Sequence, residues 1–146
     1  MAPVELSRAS VILLTPNLTQ TCHRELLSGL IAVGILFIGS RFLWHPAAAS
    51  HDFGIPNSPS PSTGFTGWLA VKGVRDIVSG LFVFLLMASG PPRLLGKFML
   101  VASLIPMGDA AIVLRSGGSR TAAFGIHGLS ALVIIAAAAS LIGAAN

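Results

Sequence analysis

Several polar side chains follow one face of an apolar segment near residue 75. Lys72, Arg75, Asp76 and Ser79 stand at offsets of zero, three, four and seven, and Trp68 lies one turn earlier on the same stripe. A charge at the centre of a bilayer costs about 2.5 kcal/mol or more, so these groups are expected to face a protein interior or a watery cleft. There, Lys72 and Arg75 would be suited to binding an oxyanion or polarising a carbonyl group.

Asp109 and His127 belong to two later apolar segments and are predicted to lie beside this face. If the segments cross a membrane in alternating directions, the start of the second, the end of the third and the start of the fourth lie on one side. At about 1.5 Å per residue, Lys72 lies roughly 12 Å, Asp109 roughly 8 Å and His127 roughly 10 Å from that side. The charges of Lys72 and Arg75 then balance two carboxylates, which leaves His127 to titrate near neutral pH.

These groups predict a polar pocket inside the membrane. The predicted catalytic residues are Asp109, His127 and Arg75, and the predicted substrate-binding residues are Lys72, Asp76, Trp68 and Ser79. Isomerisation, cyclisation or cofactor-free oxidation of a lipophilic substrate would suit such groups. The alternative is structural, because charged pairs between helices can fix register and partner choice without binding a small molecule.

Neither a metal site nor a cofactor is predicted. The four histidines show neither His-x-x-x-His nor Glu-x-x-His spacing, and Cys22 is the only cysteine. Phosphate-binding and dinucleotide-binding fingerprints are not found in the sequence. The net charge is +4, but the nine basic residues are scattered singly. Because no basic stripe tracks a phosphate backbone, nucleic acid is not a predicted partner.

The elements that must position these residues are membrane helices. Hydrophobic residues make up 53% of the 146 and charged residues only 10%, whereas soluble domains usually carry about 25% charged residues. We predict an all-α fold, an integral membrane bundle of four transmembrane helices, since each crossing needs about 20 apolar residues. The predicted spans are residues 26–43, 66–88, 94–114 and 121–142, within a domain of residues 23–146 that follows a poorly structured or interfacial segment, residues 1–22.

The longest predicted loop covers residues 47–66. It contains Pro56, Pro59 and Pro61 among several Ser and Gly residues, a composition that favours irregular structure. His51, Asp52 and the run Phe53-Gly54-Ile55-Pro56 are expected to hang over the polar pocket as a lid. Glycine and alanine also recur at close spacing in the spans, which predicts helix backbones in close contact.

The sequence resembles an uncharacterised family of small four-helix membrane proteins, frequent in fungi and known as a domain of unknown function. The resemblance covers most of the chain after residue 25, and it implies the architecture without implying a reaction. Its signature positions would be Arg75, Asp76, Asp109 and His127. It rests on Phe53-Gly54-Ile55-Pro56, Gly73-Val74-Arg75-Asp76 with Gly80, Gly108-Asp109-Ala110 and His127-Gly128. In size and helix count alone, the chain is also similar to the small membrane anthrone oxygenases of fungal polyketide pathways.

Two functions therefore stand as expectations. The first is an accessory enzyme of secondary-metabolite biosynthesis that acts on a lipophilic small molecule inside the membrane. The second is a non-catalytic membrane subunit or scaffold whose charges fix helix or partner packing, in a homo-oligomer or with a membrane partner. The lipid bilayer is the expected surrounding in both. We expect a multi-pass integral membrane protein, for which the endoplasmic reticulum is a suitable location if the source is eukaryotic.

Overall fold

The chain is all-helical throughout the part that the structure, a computed structural model, describes. It describes the backbone of residues 8–56 and 62–143 and the side chains of residues 22–56 and 62–143. Its elements are α1 (Arg8–Trp44), α2 (Pro46–Phe53), α3 (Thr63–Ser89), α4 (Pro92–Ala102), α5 (Leu104–Arg115), a π-helical segment (Thr121–Gly128) and α6 (Leu129–Gly143). The predicted fold class, all-α, is confirmed.

Three helical stretches are long and apolar enough to cross a membrane, the pattern of a multi-pass membrane protein. They are Cys22–Trp44, Pro92–Arg115 and Thr121–Gly143. Large apolar side chains cover their outer faces, as in Leu30, which is 70% exposed. A water-soluble surface does not carry so many exposed apolar side chains side by side, whereas a bilayer accommodates them. The predicted bilayer surrounding therefore fits these helices.

The predicted second span, residues 66–88, lies within α3, which is not among these three stretches. α3 has 27 residues, enough length to cross a bilayer. It carries Lys72, Arg75 and Asp76 in its first half, and these charges set it apart from the three more apolar stretches.

The first two helices begin and end differently from the predicted boundaries. α1 begins at Arg8, so the backbone of residues 8–22 continues the first helix. The segment predicted as an irregular loop contains α2, because Pro46 occupies the first turn, where its fixed φ and missing N–H are tolerated. Gly54 ends α2 with a φ of 93°, a left-handed conformation that glycine adopts without steric cost. The tip of the predicted loop, residues 57–61, lies outside the described residues.

A short break at Ser103 separates α4 from α5. Pro106 follows three residues later and has no N–H to donate to the carbonyl group of Ala102. The break therefore lies where the proline removes a backbone hydrogen bond from the third apolar segment. The two parts together still form one stretch of 24 residues.

Glycines bring the long helices together in two pairs, α1 with α3 and α4 with α6. A side chain at Gly39 would come within 2.7 Å of the carbonyl oxygen of Gly73, and one at Gly96 within 3.0 Å of that of Ala138. Backbones at this separation leave no room for a Cβ atom. Gly34, in contrast, has nothing within 4 Å and does not serve such a contact.

The apolar core lies between the two pairs, towards one end of the molecule. It joins side chains of α1, α3, α4 and α6 in one cluster. Its buried members are Ala32, Val83, Leu95, Met99, Ile134, Ala137, Ala138 and Leu141. At the other end, where α2 lies, the helices leave a cavity between them.

Candidate functional site

The Lys72 ammonium group links two helices by pairing with a carboxylate on each. Its Nζ lies 2.8 Å from Oδ2 of Asp76, one turn later on α3, and 3.4 Å from Oδ2 of Asp109 on α5. The side chains of the three residues are 18%, 8% and 13% exposed, respectively. Buried charges require partners at such distances. The spacing of Lys72 and Asp76 along the sequence thus predicts one ion pair, and the fold supplies the other by bringing Asp109 of α5 within reach of the Lys72 side chain.

Two aromatic rings flank the same ammonium group. Its Nζ lies 5.0 Å from the ring centre of Phe42, at the end of α1, and 5.2 Å from that of Phe53, at the end of α2. A cation within about 6 Å of a ring centre is attracted by the ring electrons. Lys72 is therefore held by groups from four helices: α1, α2, α3 and α5.

His127 is held in one tautomer by the turn after α2. Its Nε2 lies 3.0 Å from the carbonyl oxygen of Phe53. A carbonyl oxygen only accepts hydrogen bonds, so Nε2 carries the hydrogen and, in the neutral ring, Nδ1 holds the lone pair. The rings of Phe53 and His127 are also in contact, with centres 4.6 Å apart. The histidine is only 8% exposed. Its ring is therefore held by the hydrogen bond to the Phe53 carbonyl group and by contact with the Phe53 ring.

Close packing fixes the turn that carries the Phe53 carbonyl group. A Cβ atom at Gly54 would lie 2.5 Å from that of Ala122, and Gly118 lies directly against the carbonyl oxygen of Gly54. Val113, Ala122 and Ile55 form a small apolar cluster beneath the turn. The turn after α2 therefore rests on the end of α5 and on the π-helical segment.

The π-helical segment positions His127 near its end. It runs over eight residues, Thr121–Gly128, before the chain continues as α6. A π-helix has wider turns than an α-helix, is rare in proteins and is frequently found at functional sites. Because it shifts the register of side chains, the α-helical spacing of the sequence does not predict which face His127 occupies.

An ion pair closes the site on its exposed side. Nη2 of Arg41, in the last turn of α1, lies 2.7 Å from Oδ2 of Asp52 on α2. Nδ1 of His51 lies 3.5 Å from the other carboxylate oxygen. The hydrogen bond from Arg41, followed by that from His51, lowers the pKa of Asp52 below its ordinary value of 3.8.

These groups line one end of a partly open cavity of about 500 Å³. Its remaining wall is mostly apolar, with Ser79 and Ser130 as its uncharged polar residues, and comes from α1, α3, α4, α5, the π-helical segment and α6. Ile35, Val83, Met99 and Ile134 are among its apolar lining residues. A cavity of this size, with apolar walls and a few convergent polar groups, is the usual form of a small-molecule site.

The seven predicted site residues divide between the cavity and the outer surface. Lys72, Asp76, Ser79, Asp109 and His127 line the cavity. Arg75 and Trp68 are not among its lining residues.

Arg75 and Trp68 both point outward. The side chain of Arg75 is 56% exposed, and its Nε lies 3.9 Å from Oδ1 of Asp76. Trp68 is 76% exposed, as is Trp44 at the end of α1. Tryptophans at helix ends are typical of the boundary between lipid and headgroups.

Arg41 and Phe42 also line the cavity, and sequence reasoning did not include them in the site. At the end of an apolar span, a basic residue such as Arg41 often extends towards the lipid headgroups, so its position in the sequence does not indicate a site. Its pairing with Asp52 depends on α2, a helix that the proline-rich composition does not predict. The sequence indicates only that Asp52 belongs to a segment expected to cover the pocket as a lid.

Residues 32–141 match the family described as a domain of unknown function, DUF4267. The chain belongs to this family. The match includes Arg41, α2, Lys72, Asp109 and His127, and hence all the charged groups that line the cavity. No curated protein and no solved structure matches the chain.

Proposed function

We propose that α3 is a fourth membrane crossing, so that the domain is a four-helix transmembrane bundle. Two observations support this topology. α3 packs against α1 through Gly39 and Gly73, and its outward face is apolar, as in Val71, which is 60% exposed. Its buried charges are paired, which reduces the cost of placing them in a membrane.

Cysteine accessibility tests this topology. In a Cys22→Ser background, single cysteines at Thr63 and Ser89 mark the two ends of α3. If α3 crosses, a membrane-impermeant maleimide applied to sealed vesicles labels one of the two positions from outside and the other only after the vesicles are opened. Labelling of both from the same side would contradict the fourth crossing.

The proposed activity is acid–base chemistry on a lipophilic small molecule bound in the cavity. The observation that carries it is the cavity of about 500 Å³, which combines apolar walls with a single polar end. An apolar body would lie among the isoleucine and valine side chains, and its reactive group would lie beside Asp109 and His127. Such a molecule can enter directly from the bilayer.

The proposed proton-transfer groups are His127 and Asp109. With Nε2–H committed to the Phe53 carbonyl group, Nδ1 of the neutral ring is the basic atom of His127. Asp109 has one carboxylate oxygen on Lys72, and its second oxygen can exchange a proton. Two such groups at one site suit an isomerase, a cyclase or a cofactor-free oxygenase, in the setting of secondary-metabolite biosynthesis.

A gene-deletion strain of the source organism tests the enzyme hypothesis. Its lipid extract is compared with that of the parent strain by mass spectrometry, and a compound that accumulates is incubated with membranes from complemented strains. We expect wild-type membranes to convert it and Asp109→Asn and His127→Ala membranes to lose most of the activity, at unchanged protein level and melting temperature. Glu25→Gln and His45→Ala, at exposed positions outside the cavity, serve as matched controls. Full turnover by both cavity variants would contradict these roles.

The alternative is a non-catalytic subunit, and the pairing of Lys72 favours it. Both carboxylates near this ammonium group are already partnered, as they would be if the charges served only to join α3 to α5. In that case, exchanging the two charges in Lys72→Asp with Asp109→Lys should restore a folded yield that each single change lowers. In the enzyme the exchange would restore folding but not turnover.

A further inference from the structure

The two serine hydroxyl groups of the cavity wall already donate their hydrogen bonds to the backbone. The Ser79 hydroxyl group donates to the carbonyl oxygen of Arg75 at 2.9 Å, and the Ser130 hydroxyl group donates to that of Ile126 at 2.7 Å. Each hydroxyl oxygen retains lone pairs that can accept a hydrogen bond. Both serines line the cavity, so each presents an acceptor to a bound molecule.

His127 likewise presents a hydrogen-bond acceptor to the cavity. Its Nε2–H is bonded to the Phe53 carbonyl oxygen, which leaves Nδ1 of the neutral ring as an acceptor. Nδ1 makes no hydrogen bond with another described residue, and His127 lines the cavity. The polar atom of His127 that is left without a partner is therefore again an acceptor.

The charges of the site are balanced before anything binds. Arg41 pairs with Asp52, and Lys72 pairs with both Asp76 and Asp109. Arg75 approaches Asp76 from outside the cavity, so three cations face three carboxylates. An anionic ligand would compete with two carboxylates for Lys72, and a cationic one would meet carboxylates that already have partners.

We infer that the occupant of the cavity is a neutral lipophile that donates a hydrogen bond, an alcohol, phenol or enol. Its hydroxyl group donates to Nδ1 of His127 or to the oxygen of Ser130, and its apolar body fills the remaining volume. This inference rests on the proposed function, whose substrate class it specifies. It sets this site apart from sites for fatty-acid carboxylates and phospholipid phosphates, which need an unpaired cation.

A set of four probes with one chain length tests the inference. The full chain is placed in phosphatidylcholine nanodiscs, and equilibrium dialysis measures the uptake of 1-dodecanol, its methyl ether, dodecanoate and dodecylamine. Empty nanodiscs of the same lipid are subtracted, since they account for partition into the bilayer. Loss of one hydrogen bond predicts that the ether binds about three- to tenfold more weakly than the alcohol. The two charged probes should bind more weakly still.

Each outcome has a distinct meaning. Stronger uptake of dodecanol than of the other three probes supports the inference. Equal or stronger uptake of the ether, the carboxylate or the amine overturns the proposed headgroup but leaves the cavity as a lipophile site. No uptake of any probe above that of empty nanodiscs contradicts both the inference and the binding step of the proposed function.

Two variants assign the acceptor. His127→Ala and Ser130→Ala should each reduce the preference for dodecanol over its ether, whereas His45→Ala, outside the cavity, should not. Ser130→Ala removes only a hydroxyl group that is bonded to its own helix, so it tests the idea even if His127→Ala folds poorly. An unchanged preference in both variants would overturn the assignment of His127 and Ser130.

Discussion

The contacts within each helix pair require small residues, whereas the space between the pairs is defined by the side chains that line it. Within a pair, α1 and α3 approach so closely at Gly39 and Gly73 that no Cβ atom fits. Between the pairs, the same helices stand apart and enclose a cavity that holds charged and polar side chains. The first contact depends on the absence of side chains, and the second region depends on which side chains are present.

This difference separates the residues that build the fold from those that give the site its chemistry. Close glycine contacts make each pair a stiff unit, because backbones in contact cannot shift without losing many dispersion contacts. The space between two stiff units then keeps its shape when its polar lining changes. Substitutions within the pairs should therefore change stability through packing, and those between the pairs should act through charge balance and hydrogen bonding.

Lys72→Met should produce the largest effect. It removes the cation from two buried carboxylates, and breaking a buried pair in this way typically costs about 3–5 kcal/mol. The measurement is the free energy of unfolding in detergent micelles at pH 7.

Lys97→Met is the matched control, because Lys97 is exposed on α4. It should change the free energy of unfolding by less than about 0.5 kcal/mol. Adding Asp76→Asn and Asp109→Asn to Lys72→Met should recover most of the loss, since a neutral site has no charge left to compensate. If Lys72→Met were as stable as Lys97→Met, Asp76 and Asp109 would have to be hydrated, and their need for Lys72 as a partner would be contradicted.

Gly54→Ala tests the close packing of the turn after α2, whose Phe53 carbonyl group holds His127. Alanine at a positive φ costs about 1–2 kcal/mol, and its Cβ would also press on Ala122, which adds about 1–3 kcal/mol of overpacking. Gly117→Ala shares the positive φ but has nothing within 4 Å. The difference in melting temperature and dodecanol uptake between the two variants therefore isolates the contact. Equal values would mean that the turn is not held by Ala122.

Gly39→Ala tests the contact within a pair. Its Cβ would meet the Gly73 carbonyl oxygen at 2.7 Å and the backbone nitrogen of Ile77 at 2.9 Å, so we expect a loss of about 1–3 kcal/mol. Gly34→Ala, on the same helix with nothing nearby, should instead gain about 0.5–1 kcal/mol. Opposite signs in chemical denaturation would confirm the pairing of α1 with α3. A gain in both variants would contradict it.

The sequence alone predicts the helical content, three of the apolar stretches and the presence of Lys72, Asp109 and His127 around one cavity. These follow from hydropathy and from rise per residue, which are local properties. Helical spacing also predicts the pair Lys72 and Asp76. It also places Arg75 on the same face, but that side chain is 56% exposed and points outward.

The remaining features depend on contacts that no short window of sequence contains. The proline-rich composition of residues 47–66 does not predict α2, because Pro46 begins a helix as readily as it ends one. Without α2, neither the pair of Arg41 and Asp52 nor the bond from His127 to Phe53 can be foreseen. The π-helical register of Thr121–Gly128 likewise has no periodic signal in the sequence.

Asp52→Asn should produce the smallest effect, because the carboxylate side chain is 53% exposed. Arg41 lowers the pKa of Asp52 below 3.8 in the folded chain, so the pair stabilises the fold fully above about pH 3.8, and the benefit is lost as pH falls through the lowered pKa. The small difference in melting temperature between wild type and Asp52→Asn should therefore stay constant from pH 7 to pH 5 and disappear only below pH 3.8. If it changed between pH 7 and pH 5.5, a group other than Arg41 would be the partner that matters to Asp52, and Arg41 would not be the group that pairs with it at the mouth of the cavity.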